Sequence, residues 1–306
     1  MFIEKRKQGK NLKYYLIHSY RDEKNEVKKI RRFLGSNLNE KDIKRLVPQA
    51  EELIKSRLED MKLEVFDFLL SNKEIKSLNK HNDKIEIIHF DEKFWDRFTE
   101  EFIYNTNAIE GSTILLDEVS QILNKNNLKD PEEIETKGVS KAINFIRNTK
   151  QPFSLNLILK IHKLCFEGSK DFAGKLRNVE VVIRGRDGKI IHKGTPVAKL
   201  EDEMKDFISW YKKNKDKFKP IILAGIIHNQ FEDIHPFQDG NGRVGRLLLN
   251  FILLKNCYPP INILLEDRAE YYMVLQKYQK DGELLPTIRF LLKQYKKTLK
   301  NITTKK

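Results

Sequence analysis

Cysteine is almost absent. The 306 residues contain two, Cys165 and Cys257, in no CxxC spacing, so neither a disulfide framework nor a zinc site organises the chain. Reduced thiols in a cytoplasmic setting are the expectation. No apolar run approaches the roughly 18 residues of a membrane span, and the opening MFIEKRKQGK has no apolar signal region. The histidines at 18, 81, 89, 162, 192 and 228 fall at no ligand spacing with cysteines, so each is assigned a structural or solvated role. A GxxxxGK[ST] run is missing, which removes a P-loop NTPase. Internal repeats and Pro/Gly-rich linkers are missing too. A chain of this length can bury a large core, and one domain with a smaller appendage is the simplest organisation.

Charge is unevenly placed. The formal net charge is +14. Residues 1–46 carry 14 Lys and Arg against 6 acids, residues 291–306 carry 6 Lys and no acid, and 47–290 is formally neutral. Basic ends of this kind suit nucleic acid or an acidic partner. A solvated tail is the commoner reading for Lys293 to Lys306.

Short strand-like runs open the chain, Phe2–Arg6, Leu12–Tyr20 and Val27–Leu34, separated by Gly9-Lys-Asn and by Arg21–Asn25. A helix is expected from about Asn39 and a long one through Met61–Leu78. Trp95, Phe98, Phe102 and Ile103 then space helically toward Glu110. The reading is a basic N-terminal module over 1–90, small and β-containing, followed by a mainly α domain over 91–306. Val179, Val181 and Ile183 alternate and Asp187-Gly188 marks a turn before Ile190 and Ile191, so a β-hairpin interrupts the helices.

The densest chemistry lies in Ile234–Leu247, IHPFQDGNGRVGRL. Apolar residues at near-helical spacing precede it from Pro220. Pro236 disfavours the α conformation at His235, so the helix should stop there and leave the imidazole at its exit. Arg243–Lys255 is apolar on nearly all sides, which predicts a second, buried helix. Gly240-Asn241-Gly242 then lies at that helix's N-terminus, where free N–H groups and the dipole bind anions. Glycines let the backbone form an N–H nest. Arg243 and Arg246 bring donor forks suited to phosphate. Asp239 offers one hard oxygen donor for Mg²⁺, and His235 can accept a proton from a hydroxyl. Gly240–Gly245 also fits the dinucleotide fingerprint GxGxxG, but a helix precedes it where that motif needs a strand.

This stretch resembles the Fic family signature HxFx[DE]GNGRxxR at every specified position. The resemblance implies a Fic-type helical bundle with His235 as general base and Asp239 as the magnesium ligand. It further implies that Gly240, Asn241 and Gly242 form the anion hole and that Arg243 and Arg246 contact ATP phosphates. Thr106-Asn-Ala-Ile-Glu110-Gly111 is similar to the family's inhibitory helix motif, which would pair Glu110 with Arg246. The hairpin corresponds to the family's flap, where Val181, Val182 and Ile183 would dock a target segment by strand pairing. Arg268, Tyr271 and Tyr272 lie on an expected helix, and the two tyrosines are candidates for nucleoside contact.

The resemblance thus implies an autoinhibited protein adenylyltransferase moving AMP from ATP to a Ser, Thr or Tyr hydroxyl of a target protein. Two alternatives stand beside it. One is a deAMPylating hydrolase in which Glu110 positions water and Asp239 holds Mg²⁺. The other is a nucleic-acid-binding regulator whose Fic core senses nucleotide. A homodimer is a further expected partner state, and no membrane contact is expected.

Overall fold

Alternation of β-branched and aromatic residues with polar ones forms the first sheet. The computed structural model describes residues 1–21, 26–87, 90–184, 188 and 190–304. Strands β1 (Phe2–Gln8), β2 (Asn11–Arg21) and β3 (Val27–Ser36) pair antiparallel in the order β1-β2-β3. Gly9, at φ +61°, provides the left-handed residue in the tight β1–β2 turn. Helix α1 (Glu40–Glu59) starts at Asn39, whose side chain accepts from the Asp42 amide at 2.8 Å, the usual repair of an unpaired first-turn donor. Leu16 and Ile30 of the sheet bury against Ala50 and Ile54 of α1. The three expected strands and the helix from Asn39 are all present. Residues 22–25, part of the expected β2–β3 separator, lie outside the described residues.

The long helix expected through Met61–Leu78 does not form. Lys62–Val65 (β4) and Phe68–Ser71 (β5) make a hairpin, and helix α2 begins only at Asn72, ending at Asn79. Val65 pairs with Phe68 across a two-residue turn in which Phe66 takes φ +54°. Leu63 and Val65 are buried while Lys62 and Glu64 are not, so the true period there is two. Four residues of that alternation were too few to separate from a helical pattern.

The chain divides into two compact units, Met1–Ser77 and Leu78–Lys306. The boundary near residue 90 read from the sequence lies inside the second. Asn82 explains why. It is buried, donates to the Tyr258 hydroxyl at 2.7 Å and accepts from the Ile221 amide at 3.3 Å, so this stretch belongs to the core that follows.

The second unit holds α3 (Glu92–Ile109), α4 (Leu116–Asn124), α5 (Pro131–Asn148), α6 (Leu155–Phe166), the hairpin β6 (Val182–Arg184) and β7 (Ile190–Lys193), and α7 (Val197–Asn214). It continues with α8 (Pro220–Ile234), α9 (Asn241–Lys255), α10 (Arg268–Asp281) and α11 (Leu285–Thr304). The fold is mainly α. Helices α8 and α9 pack together at the centre; α5 and α6 lie on α9, and α10 and α11 on α8. Almost every residue of α8 and α9 is buried, as the apolar runs require. Among the described residues, no helix is long and apolar enough to cross a membrane. Strand β6 is shorter than the Val179–Ile183 alternation suggested, with Val179 outside it, and Asp187 of the expected turn lies outside the described residues.

Candidate functional site

The site is built where α8 stops and α9 starts. Helix α8 ends at Ile234, and His235 turns left-handed at φ 53°, ψ 61°, a conformation uncommon for a residue with a Cβ. Arg177 holds this bend. Its Nε donates to the His235 carbonyl at 2.8 Å, Nη1 donates to the Val179 carbonyl at 3.0 Å, and Nη2 donates to the Thr195 carbonyl. One buried guanidinium therefore fastens the base of the hairpin to the end of α8.

The His235 ring lies with Nδ1 3.3 Å from the Glu232 carbonyl. A carbonyl can only accept, so Nδ1 carries the proton and Nε2 keeps the lone pair. Burial pushes the His235 pKa down to about 4, so the imidazole is neutral at pH 7. An unperturbed histidine titrates at about 6.5, and desolvation lowers this one.

Between the helices, Asn241 braces the loop. Its Oδ1 accepts from the Phe237 amide and its Nδ2 donates to the Phe237 carbonyl, both at 2.8 Å. Its side-chain amide thus braces the loop, and only its backbone N–H faces the start of α9 for an anion. Gly240 sits at φ +83°, and a Cβ there would fall 2.2 Å from the Phe166 ring. A Cβ on Gly242 would fall 2.2 Å from Glu110 Oε1. The bare backbone at the start of α9 is what these glycines leave open, and a carboxylate oxygen lies against it.

That carboxylate comes from the end of α3. Glu110 Oε1 accepts from Arg246 Nη2 at 2.7 Å, and Arg246 also donates to Thr106 through Nε (2.7 Å, to Oγ1) and Nη2 (2.9 Å, to the carbonyl). Arg246 is 2% exposed. Burial works against its charge, but Glu110 more than offsets this and raises its pKa. Arg243 goes elsewhere. Its Nη1 donates to Glu135 at 2.5 Å, and its guanidinium lies 4.4 Å from the Phe166 ring centre.

Asp239 accepts from the Gly240 amide at 2.6 Å and lies 3.2 Å from Lys170 Nζ. Burial opposes its ionisation, yet Arg243 and Lys170 together hold its pKa below the ordinary aspartate value. Lys170 is also 3.6 Å from Glu135. Among the described residues, no group of three or more His, Cys, Asp or Glu could hold a metal. An ionised carboxylate beside the bare backbone at the start of α9 still fits Mg²⁺, which usually takes one or two carboxylates and draws its other ligands from substrate phosphate and water.

His235, Glu110, Arg246 and Gly242 line one wall of a cavity of about 490 Å³. Ile183, Ile191 and His192 of the hairpin form another wall, and Tyr271, Tyr272 and Gln279 of α10 a third. Tyr271 is 2% exposed, with its hydroxyl 2.9 Å from His228 Nε2. Tyr272 donates to the Ile109 carbonyl at 3.4 Å. Along the hairpin, Val182 and Ile183 are 42% and 38% exposed, and Val181 accepts from the Gly194 amide at 3.3 Å.

Glu135, Lys170, Arg177 and Glu232 were not singled out in the sequence. Glu232 had a signal: it follows His228 by one helical turn in a helix whose first half is wholly apolar, and charged residues are seldom buried without purpose. Its Oε1 has no hydrogen-bond partner among the described residues, and burial raises its pKa to about 8. The other three are brought in by elements remote in sequence. His162, by contrast, fits its structural assignment: fully buried, it takes the Gly174 amide on Nδ1 at 2.8 Å and lies 3.1 Å from the Asp239 carbonyl on Nε2.

Residues 152–253 match the Fic/DOC family. The chain is 30% identical over 207 residues to "Protein adenylyltransferase Fic" of Nematostella vectensis, covering 64% of this chain and 47% of that protein. It is 32% identical over 205 residues to "Protein adenylyltransferase fic-1" of Caenorhabditis briggsae, covering 63% and 39%. The chain thus spans less than half the length of these curated relatives. Among solved structures, a Fic domain containing signaling protein from Bacteroides thetaiotaomicron aligns with TM-score 0.62 at 23% identity, over 77% of this chain and 98% of that one. Fic-1 (residues 134–508) from C. elegans aligns with TM-score 0.62 at 23% identity, over 87% and 78%. Both are likenesses of fold.

Proposed function

Because the chain carries a domain of the Fic/DOC family, we propose that it is an autoinhibited protein adenylyltransferase, moving AMP from ATP to a Ser, Thr or Tyr hydroxyl of a target protein. The observation that carries the reading is the convergence on one cavity of a basic His235 nitrogen, the bare N-terminus of α9 and a buried arginine. The names of the relatives support the reaction class.

ATP would lie with its phosphates against the amides of Gly240 to Gly242 and the Arg246 fork, where backbone donors and fixed charge act without reorganisation. His235 Nε2 takes the proton of the target hydroxyl. The hydroxyl oxygen bonds to the α-phosphorus as the bond to the bridging oxygen breaks, and pyrophosphate leaves. Asp239 is the residue that would hold Mg²⁺, which when bound neutralises phosphate charge. Glu135 and the Phe166 ring keep Arg243 in place beside Asp239. Val181, Val182 and Ile183 present strand edge and apolar surface to an extended target segment.

Glu110 is the brake. Its carboxylate holds the donors on Arg246 and the space above Gly242 that an anionic phosphate would need. Two anions cannot share that site. A second reading draws on the same residue, since the Glu110 side chain is 30% exposed and lines the cavity with His235. There it could orient water against an AMP-modified hydroxyl in the reverse, hydrolytic direction.

Intact-protein mass spectrometry after incubation with ATP and Mg²⁺ tests both. Glu110→Gly should gain AMP mass, wild type should gain little, and His235→Ala should gain none while still binding ATP. Equal labelling of His235→Ala would remove the base assignment. Loss of AMP from pre-labelled protein on adding wild type would favour the hydrolytic direction.

A further inference from the structure

We propose that Lys170 regulates metal loading: its ammonium neutralises Asp239 when no nucleotide is bound, and Mg²⁺ gains that carboxylate only as Lys170 moves off it. This rests on Asp239 as the magnesium ligand of the reading above and adds the residue that controls it.

Four charged side chains alternate in sign around a ring. Asp239 Oδ2 lies 3.2 Å from Lys170 Nζ, which is 3.6 Å from Glu135 Oε1. Glu135 Oε2 accepts from Arg243 Nη1 at 2.5 Å, and Arg243 Nη2 lies 3.7 Å from Asp239 Oδ1. Asp239 Oδ1 also accepts from the Gly240 amide at 2.6 Å. Both Asp239 oxygens are therefore engaged by the chain itself. Two carboxylates and two cations cancel, so a divalent ion would meet no excess of negative charge there and would be repelled by both cations at close range. One cation has to leave.

The packing decides which. The Arg243 side chain is 8% exposed, lies over the Phe166 ring and is hydrogen-bonded to Glu135. Withdrawing it would strand a buried carboxylate. The Lys170 side chain is 32% exposed, a compact charge on a flexible stem. Glu135 Oε1 remains to hold it once Asp239 is given up.

The stem starts from a fixed point. The Lys170 amide donates to the Phe166 carbonyl at 3.0 Å, and the Lys170 carbonyl accepts from the Ala173 amide at 3.3 Å. His162 fastens this segment to the site, taking the Gly174 amide on Nδ1 and lying 3.1 Å from the Asp239 carbonyl on Nε2. The backbone thus keeps Lys170 beside Asp239, and only its side chain exchanges. ATP phosphates bring the negative charge that the ring lacks, so metal and nucleotide load together, each tightening the other.

The test is a titration of the full, nucleotide-free chain with Mn²⁺, an ion of the same oxygen preference as Mg²⁺, with free Mn²⁺ counted by electron paramagnetic resonance. Wild type should bind it weakly. Lys170→Met should bind at least about tenfold more tightly, the effect of one unit charge at this range. Lys170→Arg keeps the charge and should bind as weakly as wild type. Lys160→Met, the same loss of charge at an exposed position on α6, should change nothing. Lys170→Met/Asp239→Asn should lose the gain, with melting temperatures checking that each variant is folded. Equal affinity of wild type and Lys170→Met, or an equal gain in Lys160→Met, would overturn the proposal. If Asp239→Asn nevertheless abolished AMP transfer by Glu110→Gly, Asp239 would stay the ligand and Lys170 alone would lose its role. A gain that survived Asp239→Asn would overturn both, placing the metal elsewhere.

Discussion

His235 and Glu232 lie three residues apart at the end of α8, and burial moves their proton affinities in opposite directions. Desolvation disfavours the charged form of each, taking His235 to about 4 and Glu232 to about 8. The base is thus ready at neutral pH, and AMP transfer by Glu110→Gly should hold level from pH 7 down to about 5. A rate falling by half near pH 6.5 would show a solvated histidine instead. Glu232 has the opposite consequence. Its native pKa is raised above the unfolded value of 4.5, so the stability of the protonated form is fully present below pH 4.5 and is lost as pH rises through 8. Between those limits the wild type should lose stability relative to Glu232→Gln by up to about 1.4 kcal/mol per pH unit. Melting curves of the two proteins at pH 5, 6, 7 and 8 measure it, and parallel behaviour would mean that Glu232 is ionised in the folded chain.

At the scale of elements, the approach of α5 to α6 sets where Glu135 can reach. Gly138 makes it possible, because a Cβ there would fall 2.3 Å from the Cys165 carbonyl oxygen and 2.7 Å from that of Leu164. Both are backbone atoms, so neither can swing away. Alanine favours a helix over glycine by about 1 kcal/mol, while overpacking costs roughly 1–3 kcal/mol and here pushes one backbone from another. Gly138→Ala should therefore lower the melting temperature and, by moving Glu135, loosen Arg243. An unchanged or higher melting temperature would show that propensity wins. Elements also mark where the sequence was readable. Long apolar helices such as α8 and α9 declare themselves through many turns, with Pro220 and Pro236 at the ends of α8. The β4–β5 hairpin does not, since four-residue strands beside a helix leave too short a pattern.

For the whole molecule, Glu110 couples nucleotide binding to stability. A ligand stabilises the state that binds it, by about 2.7 kcal/mol when present at a hundred times its Kd. If the Glu110 carboxylate and the ATP phosphates compete for Arg246, a fixed ATP concentration should raise the melting temperature of Glu110→Gly more than that of wild type. Equal shifts would place the phosphates away from Arg246. The charge map belongs to this scale as well. The basic N-terminal stretch lies in a unit of its own, whereas the six lysines of residues 291–306 belong to the second unit, and the stretch between them is formally neutral.

What the sequence determined by itself is local. Pro236 ends α8 at His235, the glycines free the backbone before α9, and the apolar runs bury both helices; each effect acts within a few residues. The mainly α fold and the β-hairpin beside the site were readable for the same reason. The tertiary structure alone decided the proton affinities of His235 and Glu232, because desolvation depends on everything packed around them. It also decided that Arg243 turns to Glu135, 108 residues away, that Arg177 pins the bend at His235 from 58 residues away, and that Lys170 stands beside Asp239. A charged side chain in a sequence has many possible partners, and only the packed helices bring one of them within hydrogen-bonding distance.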